Sequence, residues 1–581
     1  MHSKIKIGQI GNGRFGKKIL SKLGSIENLS IEWVCDSQDI WWEQALVDWV
    51  IIATPVEFHY EQAKHFLQLG INVFCEKPGT LCSDSLEELV ELSKTNSTLF
   101  YVDDVLIYEN IKTPDCFVYK KWGGRSTNII DRIAYHHFYL LYEDVNDHPL
   151  TNIIIKLNET GVKIFELEFT NKKYKFEYDF NWYGQKIDNI APPSGNDALK
   201  AMLQQVLNKE TDFSKNHLRS LFALRLAEYV KSHIYGKCAV VGAGIYGITA
   251  AIKLSTLGYC VELFEAEDDI LKATSSINQY RIHRGYHYPR SHETIESCKN
   301  SIKGFTKLYN SSIMHNDTKH YYAISKEGSL TTAEEFLSVL DKHKLDWRIV
   351  DNQLNCELTI EVNEKLFDPK RLKAICQERI KGNGIRLRLN ERIKKGGIES
   401  DDYKYKVYAT YSSLNDLSPK KRIYQFELVE KPVFRLPQDY KNISMVVMDG
   451  PFMCFDPFAD TEYHVGGNVV HAIHHTNKGI NPEIPSKYRK YINKGLIVKP
   501  EFTKAKDFIT SAGKFFPGIE RAEHIGSMYT IRTVLPNYEK TDARPALVEK
   551  YDNQFVVFSG KIGNCVEVSN TIASCIKSRD M

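Results

Sequence analysis

Two glycine-rich turns of identical spacing are the residues of this chain best suited to bind phosphate groups. They read Gly11-x-Gly13-x-x-Gly16 and Gly242-x-Gly244-x-x-Gly247. Each follows a short apolar run and opens a helical pattern, and the next apolar run ends at an acid, Asp36 or Glu265. Glycines at this spacing permit a tight turn and let a helix N-terminus approach a pyrophosphate. The sequence therefore predicts two dinucleotide-binding βαβ units, whose acids accept hydrogen bonds from ribose hydroxyls.

The acid of the first unit also predicts which dinucleotide binds there. The Asp36 carboxylate can accept hydrogen bonds from both ribose hydroxyls, and it would repel a 2′-phosphate. We therefore expect NAD(H) rather than NADP at the first turn.

The composition limits the class of protein. The 581 residues are 43% hydrophobic and 26% charged, with a net charge of +3, which does not favour a nucleic acid or an acidic membrane as partner. No apolar run approaches the roughly 20 residues of a membrane span, and the N-terminus lacks the pattern of a signal peptide. The 12 cysteines form no CxxC pair and no metal-ligand spacing. We therefore expect a cytoplasmic protein with reduced thiols, a small-molecule substrate and no metal site.

The region after the first turn continues the alternation of strands and helices. Apolar runs at 49–53 and 71–75 lead into Thr54-Pro55 and Glu76-Lys77-Pro78. Strand ends of this kind are where open α/β sheets bind ligands. A lysine beside a positive nicotinamide loses its proton more easily, which suits a proton shuttle for a substrate hydroxyl. The alternative for Lys77 is a solvated surface lysine.

The segment IIATPVEFHYEQAKHFLQLGINVFCEKPGTLCSDSLEEL resembles the Gfo/Idh/MocA family of NAD(P)-dependent sugar oxidoreductases. The resemblance implies that Lys77 lies beside the nicotinamide and the substrate hydroxyl. It also implies that Thr54, Pro55 and Glu76 belong to the cofactor site.

The same resemblance implies a second domain that carries a helix of the pattern D-x-G-x-H-x-x-D. The counterpart here, RIAYHHFY, keeps the histidine as His136 but has Tyr139 in place of the last acid, and a tyrosine is a poor base at neutral pH. His136 is therefore either catalytic or a packed histidine. Alternation over 151–183 predicts three strands, which the resemblance makes part of an open sheet for substrate contacts and homodimer formation. Helical patterns at 197–207 and 215–233 complete the match.

From about residue 237 the chain resembles the D-amino-acid-oxidase (DAO) type of FAD-dependent oxidoreductases. Besides the second glycine turn, the resemblance rests on a predicted strand over 384–393, the turn Ala409-Thr410-Tyr411, and the C-terminal segment QFVVFSGKIGN. It implies FAD as cofactor, with adenine against the backbone at Ile393 and pyrophosphate near Thr410. Tyr411 replaces the usual glycine of that turn.

The C-terminal part of the DAO resemblance assigns further residues. It implies that Arg532 lies near substrate and flavin. It also implies that Ser559-Gly560-x-x-Gly563 leads into a final helix whose N-terminus faces the flavin, where the helix dipole stabilises negative charge.

A cationic and aromatic cluster follows the second βαβ unit. Residues 278–290 read NQYRIHRGYHYPR, and the DAO resemblance places this stretch under the isoalloxazine ring. Its side chains suit a polar or anionic substrate such as a carboxylate or a nucleotide diphosphate, with Arg281, His283 and His287 as candidate catalytic residues. The alternative is a polar network that only anchors the flavin loop.

These patterns predict an α/β chain of three parts. Residues 1–110 form an NAD(P)-binding Rossmann domain, 111–236 a shortened α+β substrate or dimerisation domain, and 237–581 a glutathione-reductase-like FAD fold of two domains. Within the FAD fold we expect the cofactor against 237–300, 367–415 and 525–581. We expect 301–366 and 416–524 to cover the substrate.

Three functions fit this organisation. The first, which we favour, is a bifunctional oxidoreductase that uses FAD and NAD(H) on a polar, carbohydrate-like metabolite, an amino sugar or sugar nucleotide for surface polysaccharides. Tethering would raise the effective concentration of one domain for the product of the other. In the second, only the FAD half is catalytic and the N-terminal half is a binding or dimerisation module. The third is a flavin-dependent isomerase of sugar nucleotides.

Overall fold

The computed structural model describes residues 4–580 except 37–38, 110–115, 121–127, 129, 158–162, 180–183, 188–196, 351–353, 399–401, 469–471 and 538–542. By internal contacts the chain divides into two compact units. The first unit comprises Met1–Cys238, Ala251–Glu262 and Gln377–Arg386, and the second comprises Ala239–Ala250, Leu263–Cys376 and Leu387–Met581.

The first unit begins with a parallel sheet flanked by helices. Its strands are β1 (Ile5–Ile10), β2 (Leu29–Cys35), β3 (Trp49–Ile52), β4 (Asn72–Cys75) and β5 (Phe100–Val102), and its helices are α1 (Arg14–Leu23), α2 (His59–Gln68) and α3 (Ser83–Thr95). The strand order is β2-β1-β3-β4-β5. The order reverses between β1 and β3, so the crevice that binds ligands in such sheets lies at the carboxyl ends of these two strands.

A second five-stranded sheet follows in the same unit. Its strands are β6 (Cys116–Lys120), β7 (Leu150–Leu157), β8 (Lys163–Phe169), β9 (Lys173–Asp179) and β10 (Gly184–Ile187), in the order β10-β6-β9-β8-β7. The helices are α4 (Tyr135–Val145), α5 (Ala198–Leu207) and α6 (Phe213–Ile234). Phe165 and Phe176 stack at 4.7 Å on the face that Phe138 of α4 covers. Alternation along the sequence predicted β7, β8 and β9, but it did not predict β6 and β10.

The remaining elements are C-terminal to residue 236. The strands are β11 (Lys237–Val241), β12 (Cys260–Phe264), β13 (Arg281–Ile282), β14 (Lys319–Ile324), β15 (Trp347–Ile349), β16 (Leu358–Val362), β17 (Lys365–Leu366), β18 (Arg386–Arg388), β19 (Tyr403–Tyr408), β20 (Tyr424–Arg435), β21 (Ile443–Met448), β22 (Met453–Pro457), β23 (His464–Asn468), β24 (Ile473–Gly479), β25 (Glu523–Val534), β26 (Leu547–Tyr551) and β27 (Gln554–Phe558). The helices are α7 (Ile245–Thr256), α8 (His292–Tyr309), α9 (Ala333–Lys342), α10 (Pro369–Gly382), α11 (Leu414–Leu417), α12 (Ser486–Arg489), α13 (Ala505–Ala512) and α14 (Cys565–Asp580).

Two larger sheets organise these elements. One has the order β18-β12-β11-β19-β27-β26 and carries the second glycine turn between β11 and α7. The other is a mixed sheet of order β15-β16-β14-β21-β22-β23-β20-β24, in which β25 also pairs with β20. The chain is therefore an α/β protein with a Rossmann sheet near its N-terminus and an FAD-type α/β fold in its second half, as the sequence predicted.

One predicted strand is much shorter in the structure. The sequence predicts a strand over 384–393, whereas β18 covers only Arg386–Arg388. Asn390 has a φ of 59°, a left-handed conformation that ends a strand, and its backbone N–H donates to the Glu267 carbonyl oxygen at 2.9 Å. Ile393 consequently lies in the loop that follows the strand.

Other features concern the chain as a whole. Internal contacts assign residues 251–262 and 377–386 to the first unit. The three-part division at residues 110 and 236 stays a prediction. None of the helices among the described residues has the length and apolar character needed to cross a bilayer. The cysteines whose side chains the structure describes form no disulfide bonds.

Candidate active sites

The turn after β1 has the geometry that a pyrophosphate requires. Gly11 has a φ of 98°, and a Cβ there would overlap the Ala53 carbonyl oxygen. A Cβ on Gly16 would overlap the Gly11 carbonyl oxygen, whereas one on Gly13 would meet nothing within 4 Å. Gly11 and Gly16 therefore allow α1 to pack on the turn, and Gly13 faces open space at the N-terminus of α1. These residues fit the pyrophosphate of NAD.

A buried glutamine, which the sequence analysis missed, holds this turn. The Gln9 side-chain amide donates to the carbonyl oxygens of Gly11 at 2.9 Å and Gly16 at 3.1 Å. Its signal in the sequence is a polar residue inside an otherwise apolar strand. Asp36, directly after β2, is exposed, and its backbone N–H donates to the Asp39 carboxylate at 2.5 Å. The Asp36 side chain is thus accessible to a ribose.

His59 joins the two loops that the sequence places at the cofactor. Its Nε2 lies 2.8 Å from the Thr54 carbonyl oxygen, and its Nδ1 lies 2.8 Å from the Pro78 carbonyl oxygen. Burial lowers the pKa of this imidazole. The Thr54 hydroxyl donates to Gln62 Oε1 at 2.7 Å. The loop of Thr54 and Pro55 and the loop after β4 are consequently held side by side.

Lys77 and His136 lie in one electrostatic neighbourhood. Burial, and after it the charge of Lys77, lowers the pKa of His136 well below its usual value and lowers that of His137 to about 3. The described residues supply no hydrogen-bond partner to the buried His136 Nδ1. His137 instead contacts the Tyr178 hydroxyl at 3.2 Å. The structure therefore brings Lys77 and a neutral His136 into the same crevice.

Tyr139 does not replace the missing acid of this helix. Its hydroxyl accepts a hydrogen bond from the Leu106 backbone N–H at 3.1 Å. Burial raises the pKa of the phenol well above its usual value. Tyr139 therefore positions a loop and cannot act as a base.

A pair of carboxyl groups lies next to Lys77, of which the sequence predicted Glu76 and missed Asp103. Glu76 and Asp103 directly follow β4 and β5 and continue the register in which Cys75 is opposite Val102. Burial raises the pKa of Glu76 well above its usual value, and the Asp103 carboxylate raises it further. Glu76 therefore favours its protonated form more than an exposed glutamate does. The pairing of β4 with β5 was needed to find Asp103.

The second glycine turn repeats the geometry of the first. Gly242 has a φ of 100°, and a Cβ there would stand 2.6 Å from the Ala409 carbonyl oxygen. A Cβ on Gly247 would overlap the Gly242 carbonyl oxygen. The Glu265 carboxylate accepts the Ala243 backbone N–H at 2.7 Å, so the acid is held against the turn.

A cavity of about 390 Å³ opens at this turn. It brings together the predicted site residues Gly242, Gly244, Glu265, Arg281, His283, Ile393, Thr410, Arg532 and Gly560. The buried Thr410 hydroxyl has no hydrogen-bond partner among the described residues, and a phosphate oxygen could supply one. A long concave site with a dinucleotide turn at its edge fits FAD.

Three predicted residues do not line the cavity. Gly247 packs α7 on the turn, and Gly563 lies beside Ser301, whose Oγ would be 3.1 Å from an added Cβ. The His287 ring lies 5.3 Å from the His283 ring, so His287 supports the cavity wall.

Arg281 is neutralised inside the protein. Its Nη1 donates to Glu364 at 2.9 Å, and its Nη2 lies 2.6 Å from the Asp456 carboxylate. All three side chains are buried. Glu364 also lies 3.6 Å from His283 Nδ1, and burial, followed by the charge of Lys561, lowers the pKa of His283 to about 4. Arg281 therefore fits the alternative interpretation, in which it belongs to a polar network that anchors the flavin loop, better than a role in binding an anion.

Arg532 has a carboxylate partner as well. It lies opposite Glu427 in the pairing of β25 with β20. Its Nε donates to Glu427 Oε2 at 2.6 Å, and Glu427 is 3% exposed. Arg532 lines the cavity with its charge already balanced.

Two lysines in the cavity wall were missed by the sequence analysis. Burial lowers the pKa of Lys431 and of Lys561 to about 8. The Lys561 ammonium lies 4.5 Å from the centre of the Tyr288 ring. Lys561 stands within the SGKIGN segment, which is a signal that the sequence offered, whereas Lys431 gave none.

The comparisons with known proteins follow the division of the chain. A family model described as "Oxidoreductase family, NAD-binding Rossmann fold" (GFO_IDH_MocA) matches residues 25–104. A model described as "FAD dependent oxidoreductase" (DAO) matches residues 237–524.

Individual relatives match parts of the chain. The FAD-dependent monooxygenase kojA of Aspergillus flavus is 26% identical over an alignment of 253 residues that covers 39% of this chain and 59% of that protein. The chain thus spans less than two thirds of the length of this curated relative. A glycine oxidase from Geobacillus kaustophilus is 13% identical, with a TM-score of 0.46 over 59% of this chain and 94% of its own. An NAD-binding protein from Listeria innocua is 17% identical, with a TM-score of 0.33 over 39% of this chain and 93% of its own.

The two family matches, each with the glycine turn that its cofactor requires, agree with the sites described above. The chain is therefore a fusion of a Gfo/Idh/MocA-family NAD-binding oxidoreductase domain with a DAO-family FAD-dependent oxidoreductase domain.

Proposed function

We propose that this enzyme is bifunctional. Its second unit oxidises a C–N or C–O bond of a small, polar, anionic metabolite with FAD. Its first unit uses NAD(H) on the same or a related carbohydrate-like compound, an amino sugar or sugar nucleotide. The observation that carries the proposal is the cavity that joins the second dinucleotide turn to a wall containing Lys431 and Lys561.

In the second unit, different residues hold the site in place and stabilise charge during the oxidation. When bound, FAD would supply the two-electron acceptor for a hydride from a substrate carbon, and the substrate heteroatom would lose its proton to solvent. The Arg281–Glu364 pair holds the cluster of residues 278–290 in place. Lys561 supplies a positive charge at the end of the cavity where α14 begins. Such a charge stabilises the electrons gained there.

In the first unit, Lys77 is the proposed proton carrier. When bound, NAD accepts or donates a hydride at its nicotinamide. Lys77 follows β4 at the carboxyl edge of the sheet, where it would take a proton from a substrate hydroxyl or return one. The neutral His136 can donate or accept a hydrogen bond to the same hydroxyl.

A second candidate function has one observation in its favour. The helix that carries His136 has no acid at position 139, and the Tyr139 hydroxyl is used by the Leu106 backbone. In this candidate only the FAD unit is catalytic, and the N-terminal half is a binding or dimerisation module.

An equilibrium binding experiment on the first unit separates the two candidates. The spectrum of the purified protein should show the flavin bands, and anaerobic titration should show NADH binding. Lys77→Ala should strengthen NAD⁺ binding relative to NADH by roughly three- to tenfold, because it removes a positive charge beside the nicotinamide. The exposed Lys94→Ala is the matched control and should change neither affinity.

Each outcome of this experiment has a defined meaning. A protein without FAD would rule out both candidates. A flavoprotein that binds neither NADH nor NAD⁺ would leave the FAD unit as the catalytic part and favour the second candidate.

A further inference from the structure

The cationic side chains in the wall of the FAD cavity differ in their partners. Those described are Lys272, Arg281, Arg392, Lys431, Arg532 and Lys561. Arg281 and Arg532 are each balanced by buried carboxylates, as described above. Lys272 pairs with Asp268 at 2.5 Å, and Arg392 is exposed. Among the cavity cations that are withdrawn from solvent, Lys431 and Lys561 therefore remain without a carboxylate partner in the described residues.

These two lysines have different surroundings. Lys561 lies over the Tyr288 ring in the segment that the DAO resemblance assigns to the flavin. Lys431 Nζ donates to the side-chain oxygen of Gln279 at 3.3 Å, which is a neutral acceptor. In the part of the chain that the structure describes, no carboxylate lies within ion-pairing distance of the Lys431 ammonium. Among the described residues Lys431 thus has no direct ion pair.

The strand fixes the direction in which Lys431 points. Val429 and Lys431 of β20 and Thr530 and Arg532 of the paired β25 all line the cavity. Glu430, between Val429 and Lys431, faces the opposite side and accepts hydrogen bonds there from the Thr503 and Ser527 hydroxyls at 2.6 and 2.5 Å. This alternation is that of a strand with two different faces. A rotation of the strand that turned Lys431 away from the cavity would break these hydrogen bonds to Glu430.

The neutral partner of Lys431 is held in place by its own contacts. The Gln279 amide nitrogen donates to Cys454 Sγ. A Cβ on Gly467 would overlap this amide, so the absence of a side chain at 467 makes room for it. Gln279 can therefore orient the ammonium but cannot neutralise it.

We propose that Lys431, rather than Arg281 or Arg532, binds the anionic oxygen group of the substrate, a carboxylate or a phosphate ester. This inference rests on the proposed oxidation of an anionic metabolite in the FAD cavity. An ammonium that is partly removed from water gains most when an anion enters beside it.

The titration of Lys431 gives the proposal a pH dependence. Burial lowers its pKa to about 8, Cys454 and Asp456 of β22 oppose this shift, and Arg532 of β25 adds to it. The ammonium is present below about pH 8 and is lost as the pH rises. An anion should therefore bind well at pH 7 and about tenfold more weakly for each pH unit above 8.

The test is a binding titration on the whole FAD-loaded chain, in which flavin difference spectra report the binding. The probes are benzoate, phenyl phosphate and the neutral benzamide. At pH 7 wild type should bind at least one of the two anions, and Lys431→Met should weaken that binding by tenfold or more. Lys431→Arg should restore binding to within about threefold and keep it up to pH 10, because an arginine stays charged.

Controls separate this inference from the function on which it rests. The exposed Lys506→Met removes a charge elsewhere in the second unit and should leave probe binding unchanged. Loss of the flavin bands from wild type would overturn the proposed function itself. With the bands retained, equal anion binding by wild type and Lys431→Met, or binding of neither anion by wild type, would overturn the role of Lys431 alone.

Discussion

Tyr411 shows how a single side chain can occupy a conformation that usually needs glycine. Its φ is 51°, in the left-handed region that is uncommon for a bulky residue. Its hydroxyl donates to the Thr533 carbonyl oxygen at 3.1 Å and accepts the Thr533 N–H at 3.0 Å. The two hydrogen bonds link the turn after β19 to β25 and offset the backbone strain. The replacement of the family's glycine at this position is thus compensated by contacts far along the chain.

The compensation can be measured by removing the hydroxyl. We expect Tyr411→Phe to lower the free energy of unfolding by about 1–3 kcal/mol, because the Thr533 N–H and carbonyl groups lose their partner. The measurement is thermal unfolding of the FAD-loaded protein. The control is Tyr229→Phe, since the Tyr229 side chain is 49% exposed. Equal melting temperatures for the two variants would show that the hydroxyl does not support the turn.

At the scale of elements, the turn between β1 and α1 needs glycine at two positions for two different reasons, which are demands of packing and of ligand binding. One demand is internal, because Gly16 must let α1 approach the turn. The other is external, because Gly13 has a φ of −73° that any residue adopts and open space around it. Only a ligand would need Gly13 to stay without a side chain.

Two alanine variants distinguish these demands. We expect Gly13→Ala to keep or slightly raise the stability of the protein while it weakens NADH binding tenfold or more. Gly16→Ala should destabilise the protein, because its Cβ overlaps the Gly11 carbonyl oxygen. NADH fluorescence titration and thermal unfolding are the two measurements. Undiminished NADH binding by Gly13→Ala would show that the pyrophosphate does not approach this turn.

At the scale of the molecule, the first unit includes residues that are distant in sequence. Arg379 donates to Glu61 from Nε at 3.0 Å and from Nη2 at 2.8 Å, and both side chains are buried. The Cβ of an added side chain at Gly382 would stand 2.5 Å from Tyr60 Cβ. Residues 377–386 are therefore part of the packed interior of this unit, although they follow the second glycine turn in the chain.

A double-mutant cycle tests the importance of this buried pair. Arg379→Met alone should lower the free energy of unfolding by about 3–5 kcal/mol, because Glu61 would keep a buried charge without a partner. Adding Glu61→Met should recover most of that loss. Melting temperatures of wild type, Arg379→Met, Glu61→Met, the double variant and the Lys94→Ala control provide the comparison. A loss from the single variant no larger than that from Lys94→Ala would contradict a buried structural pair.

The organisation of the fold could be predicted because its signals are local. The strand, glycine turn and helix of each dinucleotide unit lie within a few tens of residues, so Gly11 and Gly242 identify them without knowledge of the rest. The predicted strand over 384–393 was too long because one left-handed residue, Asn390, ends it. The strands β6 and β10 were missed because neither has a clear alternation.

The charge state of the FAD cavity could not be predicted, because it depends on partners far apart in sequence. The sequence by itself determined two cofactor turns, the parallel sheets behind them, and a cluster rich in arginine and histidine. Only the tertiary structure showed that Arg281 is balanced by Glu364, 83 residues away, and Arg532 by Glu427, 105 residues away. It also showed Lys431 without a carboxylate partner among the described residues. Short-range periodicity encodes the backbone, whereas the charge that remains for a ligand is decided by which strands pair and which side chains become neighbours.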